Sequence, residues 1–341
     1  MSTTLAPAPR AATKVAVLDL ANLRHTDPQA RRRLGREMAD ACRNVGFFYI
    51  VNHGVPTALR DGMFDLARRF FELPMEDKQA LSMAMSEHWR GYLPMKMIGG
   101  DPEMRGNLLE AFHVWQEHAP DDPDLLANKP LHGITPWPAQ LPGMREQTLA
   151  YTAQVTQLAR DMVAAIALGM DLPEDTFLRF FDKPMALLRL LHYPPQQPSI
   201  DDGRFGTRPH TDNGAFTLLA QDDTGGLEIL GEGGDWVGIP PVKNSFVINL
   251  GEAMKIWTDG EFLATPHRVI NRTGRERYSI PFFLNPSYDA VIAPILHRAG
   301  ERVREPVFHT TIAHDETLTS GEILTRLYRR IWPSSHQQKS D

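Results

Sequence analysis

The sequence predicts a mainly β fold with α: a double-stranded β-helix, or distorted jelly roll, flanked by N-terminal and C-terminal helices. Three observations predict it. After Pro184 short β-rich runs alternate with Gly, Pro, Asn and Asp turns, about eight runs in all, which suggests a β-sandwich or barrel, and a jelly roll is a natural eight-strand solution. Before that point, apolar residues recur at helical spacing over long stretches, which suits helices packed on the outside of a β unit. The chain has 341 residues, 42% apolar and 23% charged, enough to bury a sizeable core. The expected organisation is one integrated domain. A disordered tail occupies 1–12, an α/β region 13–184, the jelly-roll core 185–302, and a C-terminal helix and tail 303–341.

The elements follow in order. "VAVLDL", Val15 to Leu20, reads as a short buried strand. A helix is expected from about Pro28 to Asn44, with Leu34, Met38 and Ala41 on one face. "GFFYIVNHG" has the composition of a second strand closed by a turn, and a helix from about Pro56 to Phe71 follows. "LPMEDKQAL" starts a further helical turn with acids near its N-terminus. Residues 90–140 read as irregular, with one strand at Ala111 to Gln116, and a long helix runs from about Met144 to Met170. The later strands are expected at Ala186–Tyr193, Ala215–Gln221, Leu227–Leu230, Trp236–Ile239, Phe246–Leu250, His267–Asn271, Tyr278–Leu284 and Ala290–Ala293. A last helix spans Ser320 to Arg330.

The net charge of −6 gives no reason to expect a nucleic-acid or membrane-surface partner. One cysteine, Cys42, precludes an internal disulfide and fits a reducing cytoplasm. The N-terminus lacks an apolar signal core, and no run approaches the roughly 18 apolar residues of a membrane span. A cytoplasmic protein is expected, a monomer or weak homo-oligomer acting on a small molecule.

"RPHTDNGAFTLLAQ", Arg208 to Gln221, sets His210 and Asp212 at the mouth of an apolar run. In an extended chain i and i+2 share a face, so the two project together. A carboxylate there costs energy unless something pairs with it. His267, opening a strand 55 positions after Asp212, offers a third ligand. Two imidazoles and one carboxylate leave about three coordination positions open, the arrangement of non-haem Fe(II) oxygenases. An isolated His-x-Asp is more often a surface pattern, so the case rests on "RERYSIPFF". There Arg277 and Ser279 share a strand face, ten positions after His267 and ahead of a run that should be buried. A guanidinium fork grips a carboxylate bidentately, and a buried one needs an anionic partner.

These stretches, with "FFELPMEDK", "RGY", "LLEAFHVWQE", "LLHYPP", "TGGLEIL", "FVINLGEAMKIWTDGEFLATPHRVIN" and "RYSIPFFLNPSYD", occur in an order that resembles the isopenicillin N synthase-like family of Fe(II)/2-oxoglutarate-dependent dioxygenases. The resemblance runs from about Val15 to Asp289. It implies that His210, Asp212 and His267 bind Fe(II), and that Arg277 and Ser279 hold the distal carboxylate of 2-oxoglutarate. O2 would be the other co-substrate, and a small organic molecule would be hydroxylated, desaturated, epoxidised or cyclised with release of succinate and CO2. Tyr193 either touches the same carboxylate or packs in the core. Leu191 stands where many relatives have an asparagine, and Gly251-Glu252 where Gly-Asp is commoner. Arg90, Tyr92, Phe112 and Val114 lie in stretches that line the pocket in relatives. The loop "QQPSIDDGRFGT" and the C-terminal helix are candidates to close over it.

Other residues carry blander expectations. His53 should fix a turn, His192 should face away from Tyr193, Trp257 should be core, and Cys42 should be inert. Arg189 shares a strand face with Leu191 and Tyr193. It either escapes to solvent or to an acid on the helical shell, or faces the pocket and selects a carboxylate-bearing substrate. Two further readings are an Fe(II) oxidase of this fold that does not use 2-oxoglutarate and a non-catalytic binding protein.

Overall fold

A computed structural model describes residues 14–95, 107–195, 205–296 and 317–332. The expected tail at 1–12 lies outside the described residues, as do 303–316 and 333–341 of the expected C-terminal region 303–341 and most of the "QQPSIDDGRFGT" loop. In chain order the first half holds β1 (Ala16–Asp19), α1 (Pro28–Asn44), β2 (Phe47–Val51), α2 (Thr57–Phe71), α3 (Met75–Gln79), β3 (Gly91–Leu93), β4 (Glu110–Trp115), α4 (Pro123–Leu126), α5 (Met144–Gly169) and α6 (Asp175–Leu178). The second half holds β5 (Pro184–Tyr193), β6 (Thr207–His210), β7 (Phe216–Gln221), β8 (Leu227–Leu230), β9 (Trp236–Gly238), β10 (Phe246–Leu250), α7 (Glu252–Trp257), β11 (His267–Val269), β12 (Arg277–Ser287), β13 (Val291–Ile292), β14 (Leu318–Thr319) and α8 (Ser320–Ile331).

Two sheets face each other. The major one has the order β1-β2-β10-β7-β12-β5-β4-β3 and the minor one β6-β11-β8-β9. Strands from the first half therefore complete both edges of the major sheet. Its outer face is covered by α1, α2 and α5, whose apolar stripes meet Phe112, Leu188, Leu190, Leu218, Ile248 and Phe282. Its inner face carries Trp115, Leu187, Leu191, Tyr193 and Val247, which look toward Leu227, Ile229 and Val269 of the minor sheet. α1 begins at Pro28 behind an Asp27 cap that accepts from the Gln29 amide. It crosses α5 at backbone contact: a Cβ on Gly35 would sit 1.9 Å from the Ala165 carbonyl oxygen.

The structure adds elements that sequence patterning does not show. β6 is short and contains Pro209, which is tolerated because β6 is an edge strand. β3, β14, α4, α6 and α7 are each six residues or fewer, too short to establish a periodicity.

Four expected pocket residues belong elsewhere. Strand alternation puts Tyr92, Phe112 and Val114 on the outer face, in the helix-side core. Tyr92 donates to Glu110 at 2.6 Å, and Phe112 packs 4.6 Å from Phe70. Their neighbours Leu93 and Trp115 face the cavity instead. Arg90 is fully buried as a backbone clamp: Nη1 donates to the Trp115 carbonyl and the Thr135 hydroxyl, both at 3.0 Å, and Nη2 donates to the Gln116 and Leu131 carbonyls at 2.9 and 3.1 Å.

Behind the sheet Glu110 gathers Lys78 (2.9 Å), Tyr92 and His192 (2.7 Å) in a buried polar network. Burial pushes its carboxyl up, but the hydrogen bonds from His192, Tyr92 and Lys78 outweigh burial and hold it below the usual range. A depressed carboxylate contributes stability above its unfolded pKa of about 4.3, and that contribution is lost as pH falls through the lower folded value. Glu110→Ala should therefore cost about 3–5 kcal/mol in urea unfolding at pH 7, because it strands a buried lysine. The penalty should shrink below pH 4, and the metal content should not change. Arg90→Met should cost about 3 kcal/mol by leaving three buried acceptors and one part-buried acceptor without their donor. Ligand preference at the cavity should be unaltered; a changed preference at wild-type stability would contradict the clamp.

Candidate metal centre

β6 and β11 run antiparallel, with His210 directly opposite His267. Their rings are 4.2 Å apart. Asp212 lies two residues beyond the end of β6, in a turn fastened by the start of α7. The Glu252 amide donates to the Asp212 carbonyl at 2.8 Å, and the Gly251 and Ala253 amides donate to Ala215 and Gly214. The approach is so close that a Cβ on Gly251 would lie 2.1 Å from the Gly214 oxygen. Position 252 is thus the first turn of a helix, where a glutamate in place of an aspartate keeps the helix-capping backbone intact.

The three ligand atoms lie within 4.8 Å of one another, the one such His/Cys/Asp/Glu group among the described residues. Asp212 Oδ1 is 3.7 Å from His210 Nε2 and 3.9 Å from His267 Nε2. Its Oδ2 accepts from the Thr217 hydroxyl at 2.5 Å and from Asn249 Nδ2 at 2.6 Å. Thr217 and Asn249 are cross-strand partners on β7 and β10, both turned inward. His210 Nδ1 faces the Arg208 carbonyl at 2.8 Å and His267 Nδ1 the Thr265 carbonyl at 3.2 Å. A carbonyl only accepts, so each Nδ1 carries the proton and each Nε2 lone pair points inward; the tautomers are assigned from these contacts.

Burial, with His267 beside it, pushes the His210 imidazole down to about 4, against the pull of Asp212. Although 35% of the His210 side chain is exposed, that surface opens into the cavity, so desolvation still governs. Burial pushes the Asp212 carboxyl up, yet His267, His210 and the Thr217 and Asn249 hydrogen bonds prevail and hold it low. Two imidazole nitrogens and a buried carboxylate therefore converge, with no ion pair from Asp212 to Lys or Arg among the described residues. A divalent cation resolves that arrangement, and a mixed N/O set suits Fe(II).

The triad opens on a cavity of about 480 Å³. Arg277 and Ser279 of β12 and Tyr193 of β5 line it, with Arg277 paired in register with Tyr193. Arg277 is fully buried. Its Nε donates to the Gly225 carbonyl at 2.5 Å, Nη1 to the Ser279 hydroxyl at 3.2 Å, and Nη2 reaches Gln221 at 3.5 Å. The guanidinium carbon is 4.7 Å from the Tyr193 ring centroid. No carboxylate among the described residues pairs with it. Tyr193 OH sits 3.2 Å from the Thr207 hydroxyl. Leu191 also faces the cavity, so no amide replaces the missing asparagine there.

Arg189 lies on the cavity wall, while Arg90, Tyr92, Phe112 and Val114 do not. α8 contributes Leu324 and Tyr328 to the wall, and Trp332 follows at its C-terminal end. Thr217 and Asn249 escape a reading of the sequence alone. A threonine five residues beyond Asp212 and an asparagine inside an apolar strand are the signals that mark them. His53 Nδ1 accepts from the Val55 amide at 3.2 Å and so fixes a turn. His192 stacks 4.8 Å from Tyr278 on the outer face. Trp257 is fully buried, 4.8 Å from Phe180. Cys42 is fully buried, and burial pushes its thiol far up.

Comparison with known proteins agrees with this geometry. Residues 184–286 match the 2OG-Fe(II) oxygenase superfamily, and residues 15–140 match the family described as non-haem dioxygenase in morphine synthesis N-terminal. A 2-oxoglutarate-Fe(II) type oxidoreductase, hxnY of Emericella nidulans, is 35% identical over 308 residues, covering 87% of each chain. A 2-oxoglutarate-Fe(II) type oxidoreductase of Aspergillus fumigatus is 36% identical, covering 85% of this chain and 88% of the relative. The crystal structure of a full-length Neurospora crassa protein in complex with alpha-KG and thymine superposes with a TM-score of 0.78 at 25% identity, covering 94% and 97% of the two chains. The oxidase and binding-protein readings give way to these relationships: the chain belongs to the 2OG-Fe(II) oxygenase superfamily and is a 2-oxoglutarate- and Fe(II)-dependent oxidoreductase.

Proposed function

We propose that His210, Asp212 and His267 hold the Fe(II), and that Arg277, with Ser279 and Tyr193, holds the distal carboxylate of 2-oxoglutarate. The observation that carries this reading is Arg277 itself: a fully buried guanidinium, without a carboxylate partner among the described residues, facing the cavity onto which the triad opens. Breaking or omitting the partner of a buried charge is strongly unfavourable, so an incoming carboxylate is the expected complement. The Arg277 fork matches a carboxylate edge, and Ser279 and Tyr193 add hydroxyl donors. A dicarboxylate fixed at that end directs its keto-acid end toward the triad.

Bound Fe(II) would supply the oxygen activation that the side chains cannot. The protein's share is placement and exclusion of water. Backbone carbonyls lock both imidazoles in one tautomer and orientation. Thr217 and Asn249 occupy one Asp212 oxygen and leave the other directed inward. Trp115, Leu187, Leu191 and Phe283 add apolar wall to the space beside the triad. The primary substrate is a small organic molecule, in line with the Neurospora crassa relative, whose structure holds thymine beside alpha-KG. The protein acts in the cytoplasm as a monomer or weak homo-oligomer, without nucleic-acid or membrane partners. The buried single thiol and the net charge of −6 support this, and no helix among the described residues is long and apolar enough to cross a membrane.

Asp212→Ala should lower affinity for Fe(II), or for Mn(II) as a redox-silent probe, by more than about a hundredfold, since the loss exceeds that of a supporting residue. Circular dichroism and the melting temperature of the metal-free protein should stay near wild type. Retained metal affinity with full succinate formation would refute the triad. Arg277→Leu should raise KM for 2-oxoglutarate by at least about a hundredfold, the size expected when one partner of a buried charge pair is removed, with metal affinity within a few-fold. An unchanged KM would show Arg277 to be structural.

A further inference from the structure

Besides Arg277 the cavity is lined by Arg189, Arg208 and Arg330, and Arg189 is employed by neither the triad nor the proposed 2-oxoglutarate grip. Alternation along β5 puts Leu187, Arg189, Leu191 and Tyr193 on the inner face, while Leu188 and Leu190 enter the helix-side core. Arg189 is half-buried, and its buried Nε has no hydrogen-bond partner. Among the described residues no ion pair involves it. The acids of the helical shell stand behind the sheet, where Glu110 is already engaged with Lys78, Tyr92 and His192.

Two ring side chains beside Arg189 are neutral. His113 lies directly across β4–β5 from it, fully buried, with neither ring nitrogen bonded. Burial, and next the Arg189 charge, push that imidazole well down, so it cannot become a competing cation. Its ring sits 6.4 Å from Tyr328 and 5.7 Å from Trp332. Burial raises the Tyr328 phenol although Arg189 pulls it the other way, so it stays protonated and is no anion either. Arg189 and His210 line the same cavity, so a ligand held by the guanidinium shares the space onto which the triad opens. Arg189 is four residues along the strand from Tyr193, about 13 Å of backbone at 3.3–3.4 Å per residue. The Arg277 guanidinium is fastened to Gly225, Ser279 and Gln221 over the Tyr193 ring, contacts that Arg189 does not share.

Resting on the assignment of Arg277 to 2-oxoglutarate, we propose that Arg189 binds a carboxylate of the primary substrate, whose apolar body lies against Trp115, Tyr328 and Trp332. The substrate class is a small monocarboxylic acid with an aromatic or alicyclic skeleton. The physical reason parallels that for Arg277. A half-buried cation with no paired acid among the described residues gains most from an anion that arrives with the ligand and fills the space. It is a specificity-determining residue: it fixes one end of the substrate and so chooses which carbon faces the metal.

The test uses the full chain loaded anaerobically with Mn(II) and 2-oxoglutarate, titrated by calorimetry with benzoate, phenylacetate, 3-phenylpropionate and cyclohexanecarboxylate and with the amide of each. At least one acid should bind at least tenfold more tightly than its amide. Arg189→Met should abolish that preference, Arg189→Lys should restore part of it, and Mn(II) and 2-oxoglutarate should bind both variants within about twofold of wild type. The proposal is overturned if no acid outbinds its amide in the wild type, or if Arg189→Met keeps the preference. The wild-type comparison decides even where a variant fails to fold. Failure of 2-oxoglutarate itself to bind the Mn(II) protein would instead sink the Arg277 assignment, so the two failures are told apart.

Discussion

A sheet buried on both faces sorts its side chains by parity, and this constraint governs the molecule. On β5 the even-numbered Leu188 and Leu190 enter the helix-side core and the odd-numbered Leu187, Arg189 and Leu191 enter the cavity, and β4 divides Phe112 and Val114 from Trp115 in the same way. On β12 the odd residues Arg277, Ser279 and Phe283 face inward, while Ile280 and Phe282 pack against the helices. A one-residue slip would exchange the two sets and destroy the core and the site together. The register of β12 against β5 and β7 is thus what brings Arg277 to Tyr193 and Ser279 to Gln221.

Within that frame the costly group is Asp212. It is buried, ionised and aimed at two imidazoles, and it is held there by two inward polar residues and by the backbone at the start of α7. The protein commits four elements, β6, β7, β10 and α7, to one carboxylate. Such an arrangement is unfavourable for folding alone and favourable once a cation is present, which is how binding and folding become linked at a metal centre.

Much of this is legible in the chain. His210, Asp212 and His267 stand out because polar residues interrupt apolar runs, and Arg277 because a cation precedes a stretch that has to be buried. The long helices announce themselves by the period of their apolar residues. The cavity wall is harder to read. β4 is buried at all six positions, so no polar alternation reveals which face is inner, and Phe112 and Val114 turn out to lie on the side opposite to the expected one. β6 is hidden because an edge strand of four residues with a proline carries little β signal. Thr217 and Asn249 act through Asp212, and only their cross-strand pairing, a non-local fact, places them together.

The polar network behind the sheet has a consequence for how the protein changes over generations. Glu110, His192 and Tyr278 lie on the same strands as the cavity residues but on the opposite face. They pin strand position without touching a ligand. Substitutions at Leu187, Arg189, Leu191 or Trp115 can therefore reshape the substrate space while the backbone that aims the metal ligands stays fixed. Two properties that must vary independently, what is oxidised and how the oxidation is organised, are written on alternate residues of the same strands. A lineage built this way diversifies its chemistry one face at a time.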